Sequence, residues 1–375
     1  MKKLFSVFLC AVLLIGLSVI PIDAEDLSIS AAAYELYCPD NGQVILSDQA
    51  DRKLPMASTT KIMTTLITLE HAAKDNIAVE FTEEMTAEGS SMYLKIGEKV
   101  TLYDLAVGMM MQSGNDAANA AAIAIAGSTD AFADLMNEKA REIGMTNTHF
   151  VTPSGLDDEK HYSTAHDMAL LMAQALKNKA FAEITAQTSM TVDFISPSNK
   201  HVTYPNHNRL LKLYDSCIGG KTGYTDTAGR CLVTAAERDG LTLIAVTLDD
   251  RNDWNDHTAL YDYGFDHLKA VQPSVDIPDS VCVVGGTGDT ADLSVTDDSP
   301  LIIPADQADF VQSTLILPAF FYAPIQKNDT AGKVIFSING EAIGERPLVF
   351  TENVGFNNKK RDFITYIKDL FNWHN

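Results

Sequence analysis

Three short motifs follow one another along the chain: Ser58-Thr59-Thr60-Lys61, Ser113-Gly114-Asn115 and Lys221-Thr222-Gly223. Each alone is weak, since such triplets recur by chance. Their order and setting carry the weight. Ile62, Leu66, Leu69 and Ala73 follow the first motif at helical spacing, so a helix beginning near Ser58 is expected there. Residues three apart share a helix face, which brings Ser58 and Lys61 together. A serine hydroxyl becomes a nucleophile when a base takes its proton. A lysine serves as that base when burial or a second cation lowers its pKa. Lys221 suits the second cation, Ser113 a proton relay to a leaving amine, and Asn115 a holder of Lys61 and of a substrate amide. Lys221 and Thr222 together offer an ammonium and a hydroxyl to a free carboxylate. An oxyanion hole needs two backbone N–H groups, for which Ser58 and Tyr224 are the candidates. Lys61 is expected at the cleft, outside the packing.

The elements that position these residues are α and β in mixed order, an α+β pattern with an antiparallel sheet. Residues 32–36 and 43–46 read as strands around the turn Pro39-Asp40-Asn41-Gly42. Helices are expected over 102–111, 117–126, 132–143 and 165–176, with Ser113-Gly114-Asn115 in the break between the first two. Thr164, with Asp167 three residues on, is the N-cap signature of the fourth. Strands follow at 218–224, 230–236 and 241–247, then a last helix over 255–265. Glycine inside the Lys221-Thr222-Gly223 strand marks a place where a ligand is expected to approach closely.

The chain of 375 residues divides by composition. Residues 1–24 have a signal peptide's form: Lys2 and Lys3, an apolar run from Leu4 to Ile20, and a cleavage site after Ala24. Residues 25–272 form the expected catalytic domain, 275–351 a small all-β domain with a hairpin turn at Ile338-Asn339-Gly340-Glu341. Residues 359–375 read as an amphipathic helix with Phe363, Ile367, Leu370 and Phe371 on one face. That segment has four basic and two acidic residues in a chain of net charge −22. Such a helix suits an anionic membrane surface. Docking on the protein's own surface is the alternative. The acidity excludes nucleic acid as a main partner.

Cys38, Cys217, Cys231 and Cys282 show no metal-ligand spacing, and neither do His71, His149 and His166. A Cys217–Cys231 disulfide is conceivable; free buried thiols are the simpler reading. Met109-Met110-Met111 reads as core filling.

The longer strings around the motifs resemble one family. They are Met56-Ala57-Ser58-Thr59-Thr60-Lys61, Ser113-Gly114-Asn115-Asp116-Ala117-Ala118, His161-Tyr162-Ser163-Thr164-Ala165 and Gly220-Lys221-Thr222-Gly223-Tyr224-Thr225. They look like the D-alanyl-D-alanine carboxypeptidases among the low-molecular-weight penicillin-binding proteins, whose motif set is shared with class A β-lactamases. The resemblance spans nearly the whole mature chain, including Ala323-Pro324-Ile325 and Gly332 of the small β-domain. It implies a penicillin-binding-protein/β-lactamase-like fold. It also implies removal of the terminal D-alanine from peptidoglycan stem pentapeptides through an acyl-enzyme on Ser58, without cofactor or metal. β-Lactam antibiotics would be covalent inhibitors, and the enzyme would work at the outer face of the cytoplasmic membrane. The catalytic residues implied are Ser58, Lys61 and Ser113; Asn115, Lys221, Thr222, Gly223 and Tyr224 would bind substrate.

The family often places an arginine after the third sheet strand, near the substrate carboxylate. Here Asp249-Asp250-Arg251-Asn252-Asp253 stands there, acidic with one arginine; His207 and Arg209 are nearby candidates, for which a structural role is the simpler reading. A β-lactamase is the neighbouring enzyme reading. Its deacylating glutamate has no counterpart in Pro153-Ser154-Gly155-Leu156-Asp157-Asp158-Glu159, which resembles the carboxypeptidase pattern. An endopeptidase shares the same acyl-enzyme. A non-catalytic wall-binding module would be marked by loss of Ser58, Lys61, Ser113, Asn115 or Lys221, and all five are present.

Overall fold

The computed structural model describes residues 27–357, and the expected signal peptide and terminal helix lie outside them. The first hairpin is β1 (Ala33–Cys38) and β2 (Gln43–Asp48). A 3-10 turn over Ala57–Thr60 then leads into α1 (Lys61–Ala72). A helical layer follows: α2 (Leu102–Gln112), α3 (Asn115–Ala126), α4 (Thr129–Ile143), α5 (Ala165–Leu176) and α6 (Lys179–Thr185). Two small ribbons flank it, β3 (Ala78–Glu80) with β4 (Lys99–Thr101) and β5 (Ser189–Asp193) with β6 (His201–Pro205). After the single turn α7 (Leu210–Leu213) come β7 (Cys217–Thr225), β8 (Gly229–Arg238) and β9 (Leu241–Leu248), then α8 (Asp253–His267).

These strands form one antiparallel sheet in the order β2-β1-β9-β8-β7, which leaves β7 as an edge. Side chains alternate across it, as strand geometry requires. On β9, Ile244, Val246 and Leu248 face the core shared with helices α1–α6, while Leu243 and Ala245 face the core capped by Leu260 and Tyr261 of α8. Met109, Met110 and Met111 are all buried in the larger core. The expected cap is formed: Thr164 accepts from Asp167 N at 3.1 Å.

The chain continues as β10 (Leu268–Val271), β11 (Ser280–Val284), β12 (Thr290–Val295), β13 (Leu301–Pro304), β14 (Val311–Ile316), β15 (Phe320–Tyr322), β16 (Thr330–Ile338) and β17 (Glu341–Phe350). Six of these make a sheet in the order β14-β16-β17-β12-β11-β15. Asn339 and Gly340 both have positive φ, 52° and 86°, as a two-residue hairpin turn demands. The remaining two, β10 and β13, pair from Leu268–Pro304 to Val271–Leu301. Leu268, Ala270 and Ile302 of this ribbon pack into the core beneath α8.

The four described cysteines are free thiols. Cys231 pairs with Gly223 and Cys217 with Ala236, so the conceivable disulfide would join residues at opposite ends of the β7–β8 ladder. Cys282 is exposed, contrary to a buried reading.

Candidate active site

The site forms where the Ala57–Thr60 turn, the α2–α3 junction and the edge strand β7 meet. Ala57 begins the turn with φ 46°. Thr60 Oγ1 donates to Ala57 O at 2.7 Å and Thr59 Oγ1 to Met56 O at 2.6 Å, which fixes its shape. One residue further, Lys61 points its Nζ back to 2.8 Å from Ser58 Oγ. Lys61 is fully buried, at 0% exposure, so the expectation that it stands outside the packing is wrong. Its amine end is enclosed by Asn115 Oδ1 and Ser154 O, each accepting at 2.6 Å.

This geometry suits a neutral amine. A neutral lysine has two N–H bonds and one lone pair. The protonated amine donates to Ser58 Oγ, Asn115 Oδ1 and Ser154 O; once it is neutral and Asn115 and Ser154 keep its two N–H bonds, the position left for the lone pair faces Ser58 Oγ. Burial holds the Lys61 pKa well below its usual value; the charge of Lys221 lowers it further and that of Asp116 raises it.

Ser113 ends α2 in the left-handed conformation, φ 57°, which turns the chain sharply into α3 and points Ser113 and Asn115 into one space. Asn115 Nδ2 donates to Glu88 O at 2.6 Å, leaving Oδ1 for Lys61. From β7, Lys221 donates to Ser113 Oγ at 3.0 Å and to Thr222 O at 2.7 Å. Desolvation lowers its pKa to about 7. Gly223 is the close approach the sequence pointed to, yet what approaches is the chain itself. A Cβ there would stand 2.9 Å from Met56 O and 3.1 Å from Ser58 N. The absent side chain lets the edge strand lie against the Ala57–Thr60 turn, and it brings Tyr224 beside it.

Three positioning residues lay outside the motif reading. Asp116 accepts from Met92 N, Leu94 N and Ser91 Oγ at 2.7, 3.1 and 2.7 Å, tying the loop before α2 to the Ser113 turn. His161 accepts from Val151 N at Nδ1, so its proton sits on Nε2, which donates to Thr60 Oγ1 at 2.8 Å. Burial lowers its pKa to about 4, and it stays neutral at physiological pH. Gly155, with φ +82°, packs so closely that a Cβ would meet Ala57 O at 2.0 Å. It turns the strap that delivers Ser154 O to Lys61. The signal for all three was their place inside or beside the motif strings.

A cleft of about 310 Å³ opens over Ser58, Ser113, Thr222 and Tyr224 and runs on past His207 to Arg230 and Trp254. Of the arginine candidates, Arg251 is solvent-exposed, and neither it nor Arg209 lines the cleft. Arg230, on β8 opposite Tyr224, does line it. One Arg230 nitrogen, Nη2, reaches both Asp253 oxygens at 2.8 Å, which fixes the guanidinium beside the Trp254 ring.

Comparison with known proteins fits this geometry. Residues 21–252 match the family model described as D-alanyl-D-alanine carboxypeptidase. The chain belongs to that family. Residues 273–355 match the model described as penicillin-binding protein 5, C-terminal domain. This carboxypeptidase-family chain is 32% identical to D-alanyl-D-alanine carboxypeptidase DacF of Bacillus subtilis, covering 98% of this chain and 97% of that one. It is 35% identical to DacC of Escherichia coli over 90% of this chain and 88% of that one. Among solved structures it is similar to penicillin binding protein 5 from Haemophilus influenzae, with TM-score 0.73, 27% identity, and 88% of this chain and 98% of that one covered. The Streptomyces K15 DD-transpeptidase aligns with TM-score 0.60 and 30% identity, over 64% of this chain and 98% of that one.

Proposed function

We propose that this carboxypeptidase-family chain removes the terminal D-alanine of peptidoglycan stem pentapeptides through an acyl-enzyme on Ser58. The observation that carries the reading is Lys61, buried, with its Nζ 2.8 Å from Ser58 Oγ and held there by Asn115 Oδ1 and Ser154 O. Lys61 takes the Ser58 proton as Oγ attacks the penultimate D-alanine carbonyl, and the backbone N–H groups of Ser58 and Tyr224 bind the oxyanion. The peptide C–N bond breaks as the proton passes through Ser113 to the leaving amine, with Lys221 and Thr222 on its carboxylate. Asn115 and Gly223 hold the substrate backbone. Water then cleaves the ester. Residues 25–272 are the catalytic domain in this reading and 275–351 the small β-domain. Export by residues 1–24 and peripheral membrane attachment through residues 359–375 complete it. No helix among the described residues is long and apolar enough to cross a membrane.

The nearby carboxylates favour a carboxypeptidase over a β-lactamase. Asp253 is held by Arg230, and Asp157 accepts from Thr225 Oγ1 at 2.7 Å. Asp253 is engaged through both oxygens, and Asp157 does not line the cleft over Ser58. Brief penicillin treatment followed by intact-mass measurement should show one added drug per chain, lasting minutes or longer and absent in Ser58→Ala. D-Alanine should be released from a pentapeptide. Rapid penicillin hydrolysis with no adduct would overturn the reading in favour of a β-lactamase.

A further inference from the structure

The edge of the six-stranded sheet remote from β14 carries an apolar stripe that catalysis does not use. On the short edge strand β15, Phe320 pairs with Cys282 of β11 and Tyr322 with Val284. The alternate residues Val281, Val283 and Phe321 fill the core on the inner face. The outer residues stay in solvent: Val284 is 44% exposed, Phe320 47% and Tyr322 70%. Phe356, bridged to Gly286 just beyond Val284, is 59% exposed. The Phe320 and Tyr322 rings meet edge to face, their centroids 5.4 Å apart. At the 150–250 Å² of an aromatic side chain, the exposed parts of the three rings sum to roughly 350 Å². Patches of that size on a single chain are commonly functional.

Its position identifies the occupant. Asn357 N donates to Gly285 O at 2.9 Å, so the described chain ends on this stripe. The next residues are the basic, apolar-faced segment 359–375. We infer that Val284, Phe320, Tyr322 and Phe356 form a second contact with the lipid surface, beside the one assigned to that segment, on which this inference rests. Phe and Tyr on an exposed edge suit the headgroup layer, where a ring is part-buried and a hydroxyl stays wet. The two contacts differ in physics. Lys359, Lys360 and Arg361 respond to salt and to anionic lipid, whereas the stripe binds through apolar area and is indifferent to both.

The test uses residues 25–375, the same chain with Phe320→Ser, Tyr322→Ser and Phe356→Ser together, Tyr322→Ser alone, and a chain ending at Asn358. Sedimentation is measured with neutral phosphatidylcholine vesicles in high salt and with vesicles containing phosphatidylglycerol in low salt. In high salt on neutral vesicles the triple variant should partition about tenfold or more weaker than the parent. Tyr322→Ser should fall between them. Penicillin acylation reports that each variant is folded and should be unchanged. Equal partition by the parent and the triple variant overturns the stripe. So does a parent that ignores neutral vesicles, or a parent dimer that the triple variant dissolves. Equal binding of anionic vesicles by the chain ending at Asn358 and the parent rejects the tail reading instead.

Discussion

Replacing Lys221 with methionine should make the catalytic domain more stable at pH 6 while disabling it. Lys221 is 2% exposed, and its pKa falls from an ordinary 10.5 to about 7. Below pH 7 the folded state therefore holds a charge it disfavours. The gap of about 3.5 pH units, at 1.36 kcal/mol each, corresponds to about 5 kcal/mol of destabilisation. Between pH 7 and 10.5 the unfolded chain binds more protons than the folded one, so stability rises with pH until the penalty is gone. Methionine matches the aliphatic length and removes the charge. It also removes the hydrogen bonds to Ser113 Oγ and Thr222 O, worth about 1 kcal/mol each. The variant should gain about 3 kcal/mol at pH 6, lose its advantage near pH 9, and be the weaker protein above that. At about 2–4 °C per kcal/mol for a domain of this size, Tm should rise by roughly 6–12 °C at pH 6. Scanning calorimetry of both proteins at pH 6, 8 and 10 measures this. Acylation by labelled penicillin should fall about 10²-fold or more, since the carboxylate loses its cation. A variant that melts below the parent at pH 6, or a Tm difference that is flat in pH, would refute the reasoning.

Three further substitutions test the site from its edges. Gly155→Ala forces a Cβ toward Ala57 O and displaces the strap that holds Ser154 O on Lys61, so penicillin acylation should drop about 10²-fold; acylation at the parent rate would show that the strap does not position the base. Arg230→Gln should lower kcat/KM for D-alanine release about tenfold or more through KM, and Arg251→Gln should change it less than about twofold; the reverse order would return the carboxylate to Arg251.

The helices and strands that carry the motifs were legible because their apolar periodicity agrees with their burial. The α5 cap and the Asn339-Gly340 turn were legible because each needs particular residues. The β5–β6 ribbon was not read in full: on it the only well-buried side chains are Val192 and Tyr204, too few to print an alternating pattern. The single turn α7 and the three-residue strands β3 and β4 are too short to show a period. Within the site, spacing brought Ser58 and Lys61 together and motif order supplied the rest. Spacing could not show that Lys61 is buried, because burial is decided by Asn115 and by Ser154, 54 and 93 residues away. Arg230 was missed for a similar reason. Only the register of β8 against β7 carries it to the cleft, and the acidic run around Arg251 was the more visible signal.

The β10–β13 ribbon makes the link between the two sheets a beam and not a string. A single-strand linker swings freely. Here the chain leaves α8 already hydrogen-bonded to a returning strand, with Leu268, Ala270 and Ile302 seated in the core beneath α8. Pulling the ribbon off α8 means breaking that ladder and uncovering those side chains, so movement is left to residues 272–279 and 297–300, which join the ribbon to the six-stranded sheet. If the six-stranded sheet stands on the membrane, the cleft over Ser58 is carried at a set height above the lipid. The enzyme then trims stem peptides within one stratum of the wall, and its reach is a property of the ribbon's stiffness. In that case depth within the wall would bear on which pentapeptides are cut.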